Sequence, residues 1–319
     1  MLQPTSAMRL HGSPENPCPD GAIVEALTTR DGIGLRTVRW PSLSPNPKGT
    51  ICLFQGRSEF IEKYFEVIRE LRARGFAVAT LDWRGQGGSD RLLRDGRLGH
   101  IDDFGDFGPD LDAFMRKVAL PECPGPFYAL AHSMGGAILF ANLPPGSIWF
   151  DRLVVTAPMI EIGRKPPGAR WLARFLGGLG LGRLIVPGWS PRPVGLKPFD
   201  GNPVTSDKAR YERAAQIARD APDLAIGGPT IGWVRAAFRV MDRLADPRFG
   251  ANWRIPTLVM LAGDDQVVSS PAAQHFAAKL YATRTLTLPG SRHEITQERD
   301  AIREAFWAAF DAFVPGTQA

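Results

Sequence analysis

Cysteine is scarce in this chain: Cys18, Cys52 and Cys123 are the only three in 319 residues, and they are scattered. That odd number and spacing give neither a disulfide framework nor a metal-ligand pattern, and they lead us to expect reduced thiols in a cytosolic compartment. Long apolar runs are also missing. No stretch reaches the roughly 18 uninterrupted apolar residues that cross a bilayer. Residues 1–20 mix proline, charge and polar groups without the apolar core of a secretory signal. No basic run carries interleaved aromatics, so nucleic acid is not an expected partner. The net charge of +5 and pI near 9.3 bias the surface toward anionic partners, although a mildly basic solvated surface is the ordinary reading.

A soluble globular composition is present, with 44% hydrophobic and 22% charged residues. Two β-type segments, 22–28 and 34–40, flank the turn signal Arg30-Asp31-Gly32 and predict a hairpin. Short apolar runs then alternate with helical spacing: strands at 50–55, 77–82, 127–131 and 153–157, and helices at 59–74, 104–118 and from 138 onward. The alternation resumes with strands at 257–262 and 284–288 and helices at 271–281 and 298–313. Strands of this kind predict an α/β fold with a mainly parallel sheet covered by helices on both faces.

The segment 159–249 interrupts this rhythm. It is rich in Gly, Pro, Arg and Trp and is expected to form a helical insertion, a cap or lid. The organisation is therefore a tail at 1–20, a core made of 21–158 and 250–319, and an insertion at 159–249. Two apolar stripes are visible in the insertion: Trp171, Leu172, Phe175, Leu176 and Leu179, then Trp233, Ala237, Val240, Met241 and Leu244. Both are expected to pack against the main domain rather than to form a membrane or acyl-chain surface. The basic balance and the 171–185 segment raise peripheral contact with an anionic membrane as a secondary expectation.

The chemistry centres on Ala131-His-Ser133-Met-Gly135-Gly, where a buried strand runs into a serine on a tight corner. A serine hydroxyl is a poor nucleophile until a base takes its proton, and such an elbow holds it exposed beside one. His293, after the last strand, suits the base. His132 adjoins the serine, but strand alternation directs it away. A carboxylate must then fix the imidazole, and Ala262-Gly-Asp264-Asp265 offers two at the end of the preceding strand. Asp265 is preferred because it directly precedes Gln-Val-Val, leaving Asp264 as a solvated turn residue. Oxyanion donors are expected from the backbone N–H of Met134, at a helix N-terminus, and of Arg57, in the loop after the first parallel strand. Asp82 and the Arg84-Gly-Gln-Gly-Gly-Ser89 loop read as loop-shaping rather than as a phosphate cradle. The acids Asp102, Asp103, Asp106, Asp110 and Asp112 read as helix-dipole partners rather than a cation site.

Taken in order, Gln55-Gly-Arg-Ser-Glu59, Asp82-Trp-Arg-Gly-Gln-Gly-Gly-Ser89, Ala131-His-Ser-Met-Gly-Gly136, Asp265 and His293-Glu294 resemble the α/β-hydrolases. They are most similar to the bacterial lysophospholipase branch related to monoacylglycerol lipases, over residues 23–313. The resemblance implies an α/β-hydrolase fold with a helical cap over an acyl-binding pocket, Ser133 as nucleophile, Asp265 as acid and His293 as base. It implies no cofactor or metal and an acyl-ester substrate, a lysophospholipid or monoacylglycerol. Gln55 stands where monoacylglycerol lipases usually carry histidine, so phospholipid and glyceride both stay open. A serine aminopeptidase, a small-molecule esterase and a non-catalytic binding protein are the alternatives on the same fold.

Overall fold

The Arg30-Asp31-Gly32 turn closes the expected hairpin: β1 (Ile23–Thr28) pairs antiparallel with β2 (Gly34–Trp40), Ile23 facing Arg39 and Thr28 facing Gly34. The computed structural model describes residues 8–143, 146–163 and 165–315. After the hairpin come β3 (Thr50–Phe54), α1 (Phe65–Ala73), β4 (Ala77–Leu81), α2 (Phe107–Phe114), a short α3 (Leu120–Glu122), β5 (Phe127–His132), α4 (Met134–Asn142) and β6 (Arg152–Thr156). The insertion carries α5 (Ala169–Gly178), α6 (Lys208–Asp220) and α7 (Ile231–Ala245). The chain then closes with β7 (Thr257–Ala262), α8 (Ser270–Ala277), β8 (Thr283–Leu288) and α9 (Asp300–Phe313).

The eight strands form one sheet in the order β1-β2-β4-β3-β5-β6-β7-β8. Pairing is antiparallel at β1–β2 and β2–β4 and parallel from β4 through β8. The chain runs outward from β3 to β4, then returns to place β5 on the other side of β3. In an open α/β sheet this reversal opens a crevice beyond the carboxyl ends of the two strands. Ser133 lies there.

The strands β3 and β4 are buried along their whole length and apolar but for Thr50 and Thr80, as parallel strands covered on both sides require. Phe54 stacks on Trp83 at 5.6 Å and meets Phe114 and Phe150 edge-on. The predicted helix at 104–118 is less regular than its spacing suggests: a 3-10 turn opens it, and Met115–Ala119 winds as π-helix.

Buried charge braces the loops around the sheet. Arg36 on β2, Glu62 and Asp82 are fully buried, with N–O distances of 2.7 and 2.6 Å. Asp82 also accepts from Gln55 Nε2 at 2.9 Å and from the Ile61 and Gly88 amides at 3.1 and 2.7 Å. Gly87 crosses this carboxylate at φ 57, and a Cβ there would stand 2.0 Å from Asp82 Cγ. The glycine-rich loop is thus shaped around Asp82. Of the acidic cluster, Asp103 caps the 3-10 turn by accepting from the Gly105 amide at 2.8 Å, and buried Asp110 pairs with Arg84 at 2.7 Å.

The two stripes of the insertion separate. The α7 stripe is buried as expected: Trp233, Ala237, Val240, Met241 and Leu244 all lie in the core. The α5 stripe does not follow. Trp171 is 67% exposed, Phe175 49% and Leu179 60%, and Ala173 is the only buried residue on the helix. The reason is that α5 rests on α7 through its small side, where a Cβ on Gly177 would meet the Arg235 side chain at 2.7 Å. Periodicity gathers apolar residues on one face but does not say what that face meets. The helix α6 is an addition that no apolar stripe announces; Asp207 opens it by accepting from the Arg210 amide at 2.9 Å.

Glu66 on α1 ties α6 to the core, accepting from Arg210 Nε and Nη2 at 2.9 and 2.7 Å and from Arg213 Nη2 at 2.5 Å. Burial works to raise its carboxyl, but the Arg210 and Arg213 hydrogen bonds and the Arg303 charge outweigh it and bring it from 4.5 down to about 2. An acid held below its unfolded value contributes stability that is complete above pH 4.5 and is lost as pH falls through about 2. Glu66→Gln should therefore cost about 1–3 kcal/mol at neutral pH and less than half of that near pH 3. Denaturant melts of both proteins at the two pH values check this, and an equal deficit at both would refute it.

Candidate active site

Ser133 sits where β5 turns into α4, and it takes φ 49, ψ −111. A non-glycine residue in that region costs about 1–3 kcal/mol and persists only where its surroundings over-determine it. Here the Ser133 amide donates to Thr156 O at 3.0 Å, and its carbonyl accepts from the Met159 amide at 3.1 Å. Gly135 is required for a different reason: a Cβ there would stand 2.6 Å from Phe54 O and 2.7 Å from Gln55 O. The helix after the serine therefore presses directly on the end of β3.

His293, in the loop after β8, reaches Ser133 Oγ with Nε2 at 2.9 Å and Asp265 Oδ2 with Nδ1 at 2.8 Å. Asp265 Oδ1 accepts from the Val267 and Val268 amides at 2.8 and 2.9 Å, so the loop itself orients the carboxylate. Burial pushes the Asp265 carboxyl up, but the His293 hydrogen bond and charge and the two amides hold it below its ordinary value. An ionised Asp265 favours the tautomer with the proton on Nδ1, which leaves Nε2 to accept from the serine. The structure thus brings Ser133, His293 and Asp265 into one chain of hydrogen bonds. Asp264 is not part of it: its side chain is exposed, and its amide donates to Ser291 O at 2.8 Å.

The expected donors also lie at this point. Met134 is the first residue of α4, and Arg57 lines the cavity in the loop after β3. Among the described residues neither backbone N–H has a protein acceptor.

His132 has a partner that strand alternation did not give: its ring centroid lies 4.8 Å from that of His293, and its Nδ1 3.2 Å from Thr156 Oγ1. Strand alternation assigns a side chain to a face of the sheet, not to what a distant loop lays upon that face. Burial pushes His132 down to about 4, so it stays neutral and puts no like charge beside His293 at neutral pH.

Three further residues escaped the sequence reading as a group. Lys63 Nζ lies 2.8 Å from Glu59 Oε1 and 2.6 Å from Glu294 Oε1, and Glu59 Oε2 accepts from Tyr64 at 2.7 Å and from the Gly56 amide. Burial raises Glu59, but Lys63, with its charge and hydrogen bond, prevails and takes it to about 2; at Glu294 burial, with the neighbouring Glu59 charge, prevails over Lys63 and raises it. The cluster ties the loop of Gly56 and Arg57 to the loop of His293. Only the i,i+4 spacing of Glu59 and Lys63 hinted at it.

The serine opens on a cavity of about 1040 Å³ under the insertion, walled largely by apolar side chains such as Met159, Ile162, Leu176, Val234, Phe238 and Val268. Residues 45–300 match the family model Hydrolase_4, described as serine aminopeptidase, S33. The chain belongs to this family of serine hydrolases. Within reach of it, lysophospholipase L2 of Escherichia coli strain K12 is 35% identical, covering 90% of this chain and 86% of that protein. Monoacylglycerol lipase of Mycolicibacterium smegmatis is 25% identical, covering 79% of this chain and 84% of that protein. A soluble variant of monoglyceride lipase from Saccharomyces cerevisiae, solved with a substrate analog, shares the fold with TM-score 0.72 at 19% identity, covering 93% of this chain and 97% of that one. The α/β-hydrolase resemblance carried by the motifs is borne out, and the eight-stranded, mainly parallel sheet is that of the family's lipases.

Proposed function

We propose that the chain is a carboxylic-ester hydrolase that removes the fatty-acyl group from a lysophospholipid or monoacylglycerol through an acyl-enzyme. The observation that carries this reading is the Ser133–His293–Asp265 hydrogen-bonded chain opening on a large apolar cavity. Lysophospholipase and monoacylglycerol lipase relatives support it. Ser133 Oγ attacks the ester carbonyl as its proton passes to His293 Nε2, and Asp265 stabilises the imidazolium. The Arg57 and Met134 amides receive the oxyanion, each contributing about 2.7–4 kcal/mol to the transition state. Collapse expels the glyceryl oxygen, which takes the proton from His293. Water then attacks the acyl-enzyme by the same route and releases the fatty acid.

The insertion 159–249 acts as a cap that shapes the acyl site. A peptidase of this family needs a carboxylate to hold a free amino terminus; of the acids that line the cavity, Glu59 and Glu294 are both engaged by Lys63, and the third, Asp200, is exposed on the insertion. The engagement of the two acids next to the catalytic histidine favours the ester reading. Hydrolysis of monoacyl esters of graded chain length, set against aminoacyl amides, tests it, and faster turnover of the amides would refute it.

The exposed α5 stripe supports peripheral contact with an anionic lipid surface. No helix among the described residues is long and apolar enough to cross a membrane. Between Ile162 and Phe199 the sequence has no acidic residue, while Arg164, Lys165, Arg170, Arg174, Arg183, Arg192 and Lys197 are all basic. Aromatic and aliphatic side chains beside such cations suit an anionic headgroup layer. Phe175→Glu combined with Leu179→Glu should weaken binding to anionic vesicles tenfold or more, since each buried apolar side chain is worth about 1.5–3 kcal/mol. Vesicle sedimentation measures this, and unchanged binding would count against the face.

A further inference from the structure

Three of the four buried arginines among the described residues meet carboxylates: Arg36 meets Glu62 and Asp82, Arg84 meets Asp31 and Asp110, and Arg303 meets Glu70, while Arg72 donates to the backbone carbonyls of Pro41 and Asp20. Arg57, in the wall of the catalytic cavity, has no carboxylate partner among the described residues. Nη1 donates to Ser58 Oγ at 2.9 Å and Nη2 to Gly227 O at 2.8 Å, while Nε is buried with no acceptor. Trp233 lies under the guanidinium at 5.0 Å. An arginine carries five N–H donors in a planar fork, so most of its capacity is unmatched by protein. Burial without a counter-charge brings Arg57 down to about 10, still a cation at neutral pH. Such a charge is costly to hold unpaired, and an anion supplied by the substrate would relieve that cost.

Its place in the chain says which part of the substrate would supply the anion. The backbone N–H of the same residue is the proposed donor to the ester oxyanion, so the side chain is tethered within one residue's reach of the scissile bond. In a 1-acyl lysophospholipid only the glycerol backbone separates that bond from a phosphodiester. In a monoacylglycerol the same place carries a neutral hydroxyl. The fork of a guanidinium fits two phosphate oxygens, which a hydroxyl cannot replace.

We propose that the Arg57 guanidinium is the receptor for the phosphodiester of a lysophospholipid, making it the residue that favours a phosphorylated glyceride over a neutral one. This rests on the acyl-glyceride reading above. Two measurements on the full chain separate the claims. In the first, sn-glycerol 3-phosphate and glycerol are compared as inhibitors of p-nitrophenyl butyrate hydrolysis by wild type, Arg57→Met and Arg57→Lys. Glycerol 3-phosphate should inhibit wild type more strongly than glycerol, its inhibition constant should rise about 10–100-fold in Arg57→Met, and Arg57→Lys should retain part of the difference. In the second, the ratio of kcat/KM on lysophosphatidylethanolamine to that on monoacylglycerol of the same chain should fall about 10–100-fold in Arg57→Met.

A ratio and inhibition constant that do not move would overturn the proposal. So would a parallel fall on both lipids, which marks Arg57 as a positioning residue for its loop; thermal melts and Arg57→Lys guard against reading a folding defect as either. Wild type that cleaves neither lipid refutes the acyl-glyceride reading, while the inhibition constants still decide whether Arg57 binds the anion.

Discussion

Ser133→Ala should abolish ester hydrolysis, lowering kcat by about 10⁴–10⁶-fold, because on the proposed mechanism His293 and Asp265 are left with no nucleophile to activate. A fluorophosphonate probe should label the wild-type serine and leave the variant unlabelled. The two proteins should melt at nearly the same temperature. Alanine meets the same steric cost at φ 49 as serine, and the backbone bonds to Thr156 and Met159 that impose this conformation do not involve the hydroxyl. Activity that survives the substitution on the best substrate would show that the elbow serine is not the nucleophile.

The second large effect concerns stability. Lys63→Met leaves Glu59 and Glu294 buried with no cation between them, and stripping the partner from buried carboxylates costs about 3–5 kcal/mol. Activity should fall with it, since the same cluster holds the Gly56–Arg57 loop against the loop of His293. Adding Glu294→Gln removes one of the stranded charges and should return part of the loss, giving a non-zero coupling in a double-mutant cycle. Denaturant melts of the four proteins measure it. Additive losses would show that Lys63 and Glu294 act independently.

Local signals were legible in the chain, and distant ones were not. The hairpin turn, the strand spacing and the Ser133 elbow each depend on a few consecutive residues, so they could be read directly. Asp265 could be separated from Asp264 because the following Val267 and Val268 amides turn back onto it, a relation of nearest neighbours. The contact that His132 makes could not be read, since its partner His293 arrives from a loop 161 positions later in the chain. The Lys63 cluster depends on Glu294 in the same way. The α5 stripe has the amphipathic pattern of α7, yet one faces outward and the other faces inward. Helical period carries no information about which surface comes to meet it.

Trp171, Leu172 and Trp189 belong at once to the outer face and to the wall of the cavity that holds Ser133. On the proposed contact with a lipid surface, an acyl chain entering at that face would meet these apolar side chains on its way to Ser133. Turnover on dispersed lipid should then follow surface-dilution kinetics, set by the mole fraction of substrate in the interface rather than by its concentration in the solution.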